Sequence, residues 1–153
     1  MDTKKILKAM KMLNKSFDIT VTGTSMIPTM YERDIIKVQP LVNYNIGDII
    51  VFYYNDNELI VHRLLAINDN NYLCKGDNAF RLESVEKEQI IGKVIGLWRE
   101  SGIISLPKFT NELISLSFKI HRIFLQHSFD LERTKETDEY KKYKYLMNKL
   151  IHK

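Results

Sequence analysis

The chain has little of what staples or anchors a protein. One cysteine, Cys74, excludes an internal disulfide, and a lone thiol of this kind reads as a small buried hydrophobe. The histidines, His62, His121, His127 and His152, show no ligand spacing with Cys74, so no metal and no other cofactor is expected. Long apolar runs are missing as well. The longest charge-free stretch, Ile19 to Tyr31, has thirteen residues and contains a glycine and a proline; a spanning helix needs about twenty apolar residues. The basic N-terminal stretch is not followed by an unbroken apolar segment, so no secretory signal is read. These absences predict a cytoplasmic chain, or one peripheral at the cytoplasmic membrane, with no transmembrane segment.

The formal net charge is +4, which raises nucleic acid as a partner. No helix-turn-helix, zinc-finger or RNA-binding signature accompanies it, and the basic residues gather at the two ends rather than in one stripe. Nucleic acid is therefore not expected. At 153 residues the chain is long enough to build one core without metal or disulfide support.

Three regions differ in pattern. Residues 1–16 hold a basic amphipathic helix, over 2–15, with Ile6, Leu7, Met10 and Leu13 at helical spacing and Asp2 or Thr3 as its cap. Lys4, Lys5, Lys8, Lys11 and Lys15 fall largely on the other face. That helix suits packing on the core with its lysines in solvent, or peripheral contact with an anionic membrane. Residues 17–106 read as strands: Phe17 onward, Ile35–Val38, Ile49–Tyr54, Leu59–Leu65, Tyr72–Lys75 and Ile90–Trp98. Polar turns separate them, including Asn55-Asp56-Asn57. Gly92 and Gly96 mark bulges or tight bends, and Ile49–Tyr54, apolar on both faces, reads as a strand covered on both sides. The pattern predicts a mainly β fold, an antiparallel sheet coiled into a partial barrel. After Pro107, residues 107–153 read as a helical extension, with a charged joint at Asp130–Glu139 between two amphipathic helices.

Ser25 stands out within Gly23-Thr24-Ser25-Met26-Ile27-Pro28-Thr29. A β-branched run precedes it, and Gly23 and Pro28 force the chain out of the strand in a turn. Taken alone it reads as an ordinary turn serine. Three further stretches change its meaning: Gly47-Asp48-Ile49-Ile50-Val51-Phe52, Val61-His62-Arg63 and Lys75-Gly76-Asp77-Asn78. In this order and approximate spacing, with Ile91 to Gly96 as a closing strand, residues 17–98 resemble type I signal peptidases. They also resemble the wider clan that includes self-cleaving proteases of the SOS-repressor kind.

That resemblance implies a serine endopeptidase of the same β fold, with Ser25 as nucleophile and the residue before the arginine as general base. Membrane-type bacterial members carry lysine there. The endoplasmic-reticulum, archaeal and endospore types carry histidine, and His62 puts this chain with them. Its chemistry agrees, since a serine hydroxyl needs a base, and an imidazole of unperturbed pKa near 6.5 serves near neutral pH. A histidine base needs a carboxylate to fix its tautomer. Asp77 matches the first acid of the resemblance and is the expected third member. The position six residues later, an aspartate in many members, is Glu83, held in reserve. The Ser25 N–H is the expected first oxyanion donor; Gly23 stands where some members carry a hydroxyl, so the second is unassigned.

The expected substrate is a precursor peptide or protein with small residues near the cleavage site, from which a signal or leader peptide is removed. Two alternatives stay open. A self-cleaving SOS-repressor-type regulator is disfavoured by His62, by the absence of an Ala-Gly or Cys-Gly dipeptide, and by the roughly twenty residues before the core, too few for a DNA-binding domain. A catalytically silent peptide-binding module on the same fold is the other.

Overall fold

Strand Ile49–Tyr54 is apolar on both faces because both faces are covered. Ile49, Val51 and Tyr53 point into a cluster with Ile36, Val38, Val94 and Leu97, while Ile50 and Phe52 point into a second with Leu64, Cys74, Val85 and Ile90. A computed structural model describes residues 3–55 and 58–152. Asp2, proposed as a cap, and the Asp56-Asn57 part of the expected turn lie outside them.

In chain order the elements are α1 (Thr3–Met12), β1 (Phe17–Thr20), β2 (Ile35–Gln39), β3 (Ile49–Tyr54), β4 (Glu58–Asn68), β5 (Asn71–Lys75), β6 (Glu83–Glu86), β7 (Ile90–Arg99), β8 (Gly102–Ile103), α2 (Asn111–Gln126), α3 (Leu131–Lys135) and α4 (Asp138–Ile151). The strands form one antiparallel sheet in the order β1-β2-β7-β3-β4-β5-β6, with β8 added to β7. The sheet does not close, so the fold is mainly β with helices at both ends of the chain.

Two irregularities in β7 fall beside its glycines. The register against β2 shifts between Lys37 and Val38, across from Val94 and Gly96, and the register against β3 shifts between Val51 and Phe52, across from Gly92 and Ile90. A Cβ on Gly92 would lie 2.7 Å from Val38 Cγ1 and 2.8 Å from the Gln39 carbonyl. Only glycine lets β2 and β7 approach this closely. β6 and β8 were not expected from the sequence; each is short, and β6 has only Val85 buried.

The helical regions pack inward. Leu7 of α1 is buried in the first cluster with Met10 against it, while Met12 and Leu13 stay exposed. In the extension, Leu113, Leu116 and Ile120 of α2 meet Tyr143 and Met147 of α4 in a third core, and Phe80 from the sheet side stacks on Tyr140 at 5.5 Å. The Thr110 and Thr137 hydroxyls cap α2 and α4 by accepting the N–H of Leu113 and Tyr140. The charged joint is not a plain linker, because Asp130 accepts from Arg133 N–H and starts the short helix α3. No helix among the described residues is long and apolar enough to cross a membrane.

Candidate active site

β1 ends at Thr20, and the chain leaves it through Gly23, whose φ of +83° favours glycine. Ser25 then sits in a compact turn in which Ile27 N–H donates to the Thr24 carbonyl and Met30 N–H to that of Met26. Ile27-Pro28 is a cis peptide. Buried Met26 pins this turn to the core.

The Gly76–Ala79 loop clamps the turn from outside. Asn78 N–H donates to the Ser25 carbonyl at 2.7 Å, and Asn78 Nδ2 to the Thr24 carbonyl at 3.1 Å. Gly76 leaves no room for a side chain between the two segments. A Cβ there would lie 2.6 Å from the Ser25 carbonyl oxygen and 3.0 Å from His62 Nε2.

His62, on β4 and 5% exposed, brings Nε2 to 3.1 Å from Ser25 Oγ. Its other nitrogen, Nδ1, lies 2.8 Å from Glu83 Oε1. That contact has the length of an ion pair without hydrogen-bond alignment, and Glu83 Oε2 is buried with no hydrogen-bond partner among the described residues. The edge of Phe52 packs on the ring, centroids 6.1 Å apart.

Sheet register explains why Glu83 rather than Asp77 meets the imidazole. Leu64 pairs with Cys74, and Cys74 with Glu83. Directly paired residues share a face and residues two apart along a strand do too. His62, Leu64, Cys74 and Glu83 therefore line one face. Arg63 and its partner Lys75 belong to the other.

Asp77 goes with that second face. Its Oδ1 accepts from Arg63 Nε at 3.2 Å, and its Oδ2 from an Arg63 terminal nitrogen at 2.7 Å and from Thr29 Oγ1 at 2.5 Å. The expectation that Asp77 orients His62 thus gives way to a different geometry: both its oxygens are committed to Arg63 and Thr29, and the reserve residue Glu83 holds the position beside Nδ1. Arg63, in the sequence only the residue that follows the expected base, has a strut's part. Besides Asp77 it reaches the Gly47 and Pro107 carbonyls, with its guanidinium 4.1 Å from the centre of the Phe109 ring. Strand alternation was the available signal, since it puts an arginine that follows an inward-facing histidine on the opposite face.

A groove of about 280 Å³ opens beside Ser25, lined by residues 19–23, Ser25, Met26 and residues 59–62. One wall is β1 and the chain after it; the other is the first half of β4. No group of histidine, cysteine or carboxylate side chains among the described residues is arranged to hold a metal ion. Burial pushes the Cys74 thiol well above its ordinary range, which keeps it inert.

The Peptidase S24-like family model matches residues 2–95, a stretch that contains the Ser25 turn, His62 and Glu83. The chain belongs to the Peptidase S24-like family. The LexA repressor of Leuconostoc mesenteroides is 31% identical over 86 residues, 56% of this chain and 41% of the relative. That of Bacillus cytotoxicus is 29% identical over 85 residues, 55% and 41% of the two chains. The match thus spans about two-fifths of these relatives' length. Both are repressors, so the likeness lies on that side of the resemblance rather than with signal peptidases specifically.

In this S24-like site Lys75 is the residue whose environment sequence reasoning missed. It is fully buried, donating from Nζ to the Gly76 and Ala79 carbonyls at 3.2 and 2.8 Å, beneath the Tyr143 ring. Burial pushes its ammonium down to about 8, with Asp77 and Glu83 pulling the other way. Between about pH 8 and the ordinary lysine value near 10.4 the unfolded chain holds this proton and the folded one releases it, so stability rises with pH there. Compared with Lys75→Met, the wild type is expected to gain about 2 kcal/mol between pH 7.5 and 10 in urea unfolding. An equal pH response of the two proteins contradicts this. For the site itself, Gly76→Ala drives a Cβ into the Ser25 carbonyl. It is expected to lower any Ser25-dependent turnover by about 10²-fold in a protein that still folds. Unchanged turnover means the contact does not set the serine's position.

Proposed function

We propose that this chain is a serine peptidase in which Ser25 attacks the peptide carbonyl, His62 is the general base and Glu83 orients the imidazole. The observation that carries the reading is one ring with a hydroxyl 3.1 Å from Nε2 and a carboxylate 2.8 Å from Nδ1. As the bond from Ser25 Oγ to the carbonyl carbon forms, the hydroxyl proton passes to Nε2. Glu83 stabilises the resulting imidazolium, and their contact tightens once the ring is charged. The Ser25 N–H faces the developing oxyanion. When the intermediate collapses, Nε2 returns the proton to the leaving amine, and water repeats the cycle on the acyl-enzyme to free Ser25.

The groove supports an extended peptide as substrate. Among the described residues, β1 pairs only with β2, and β4 meets β5 only from Arg63 onward, so residues 58–62 present a second strand edge. A peptide entering between these edges extends the sheet by main-chain hydrogen bonds. Ile19, Val21, Met26, Leu59 and Val61 make the walls largely apolar, which supports small apolar side chains at the cleaved bond.

Two sources of that peptide are open. The LexA repressors among the relatives favour self-processing, with the protein supplying its own scissile segment. Removal of a leader or signal peptide from a separate precursor is the second reading, favoured by His62 as base. Intact-mass analysis of the purified chain, run beside quenched-fluorescence peptides with small residues at the cut site, separates them. Fragmentation of the wild-type chain supports the first and peptide hydrolysis the second. Either is expected to fall by about 10³-fold or more in Ser25→Ala. Cleavage that survives the substitution refutes the nucleophile, and a wild type that cuts neither points to a silent peptide-binding module.

A further inference from the structure

We propose that His121, on α2 in the helical extension, is a positioning residue for the His62–Glu83 pair. The proposal rests on the peptidase reading above, and α2 lies beyond the residues 2–95 that match the family.

Glu83 opens β6 at the end of a loop that starts at Gly76. Register against Cys74 fixes which face Glu83 takes, but the depth of its carboxylate depends on the backbone just before it. There Leu82 N–H donates to His121 Nδ1 at 3.1 Å. The same helical layer holds the rest of the loop. Phe80 packs on Phe124 of α2 and Tyr140 of α4, each with ring centres 5.5 Å apart, and Tyr143 Oη donates to the Asp77 carbonyl at 2.6 Å. Tyr143 thus secures residue 77, Phe80 the middle and His121 the residue next to Glu83. Of the three, the contact to His121 is the one a single proton can abolish, because Nδ1 accepts only while unprotonated. Burial lowers the His121 pKa, and Arg81 and Lys75 add to that against the Phe80 carbonyl and Glu83, so the ring is kept as an acceptor.

The consequence reaches the base through one residue. Glu83 beside Nδ1 selects the tautomer with the proton on Nδ1, which leaves the Nε2 lone pair for Ser25. A loosened Leu82 lets the carboxylate drift and the tautomer mix.

The test compares two amide replacements of similar polarity. In His121→Asn the amide oxygen falls close to where Nδ1 sits; in His121→Gln it falls near the far side of the ring. Ring nitrogen NMR of His62 in the full chain is expected to show the Nδ1–H tautomer in wild type and His121→Asn, and a mixture in His121→Gln. Turnover of a peptide cut by the wild type is expected to fall about tenfold in kcat for His121→Gln, with KM changed less than about twofold, and to recover in His121→Asn. His121→Leu, which lacks an acceptor, replaces the glutamine variant should that one fail to fold. Wild-type tautomer and kcat in the variants without the acceptor overturn the proposal, as does a mixed tautomer in the wild type. The NMR readout does not require hydrolysis: Ser25→Ala keeps the Nδ1–H tautomer, so a protein with that tautomer and no peptidase activity counts against the peptidase reading, not against the role of His121.

Discussion

The buried Arg63–Asp77 ion pair is the constraint on which the site depends. Both partners are almost fully shielded from solvent, and each sits next in sequence to a residue of the site, Arg63 after His62 and Asp77 after Gly76. Through Thr29 the pair reaches the segment that carries Ser25; through the Gly47 carbonyl it reaches the turn before β3; through Pro107, Phe109 and Tyr143 it reaches the helical extension. Removing one partner of such a pair strands a charge in the interior, a cost of about 3–5 kcal/mol. The face that carries His62 and Glu83 is thus held from behind. His62 lines the groove with Glu83 behind its ring, and what keeps them in register is on the reverse side of the same strands.

This arrangement assigns different work to two carboxylates that look alike in the sequence. Asp77, locked by a guanidinium and a hydroxyl, is held on the opposite face from the imidazole. Glu83 is the longer side chain, begins an edge strand and keeps one buried oxygen without a hydrogen-bond partner among the described residues. Such a group can follow the ring as it gains and loses a proton, whereas a carboxylate in a bidentate clamp cannot. Lys75 supports the loop carbonyls, and its ammonium feels both carboxylates.

Much of this was legible from residue order. The alternating and doubly apolar strands mark β2 to β5 and β7, and the order of the motifs marks Ser25 and His62, which the fold brings to 3.1 Å. The choice between Asp77 and Glu83 was not legible, because it turns on β6, a four-residue strand with one buried side chain and no clear alternation. Without β6 there is no register from Cys74 to Glu83, and an aspartate in a Lys-Gly-Asp-Asn turn looks the better candidate. The apolar faces of α2 and α4 suited packing on the sheet or on each other, but an amphipathic face does not name what covers it. Here Phe80, Tyr140 and Tyr143 supply the cover.

The central claim is the division between an orienting Glu83 and a structural Asp77, and paired isosteric substitutions test it most directly. Steady-state turnover and urea unfolding would be measured together on Glu83→Gln and Asp77→Asn. The account predicts that Glu83→Gln loses about 10²-fold or more in kcat with nearly wild-type stability, while Asp77→Asn loses about 3 kcal/mol of stability and keeps most of its turnover wherever it is folded. A folded, inactive Asp77→Asn beside a fully active Glu83→Gln would contradict it.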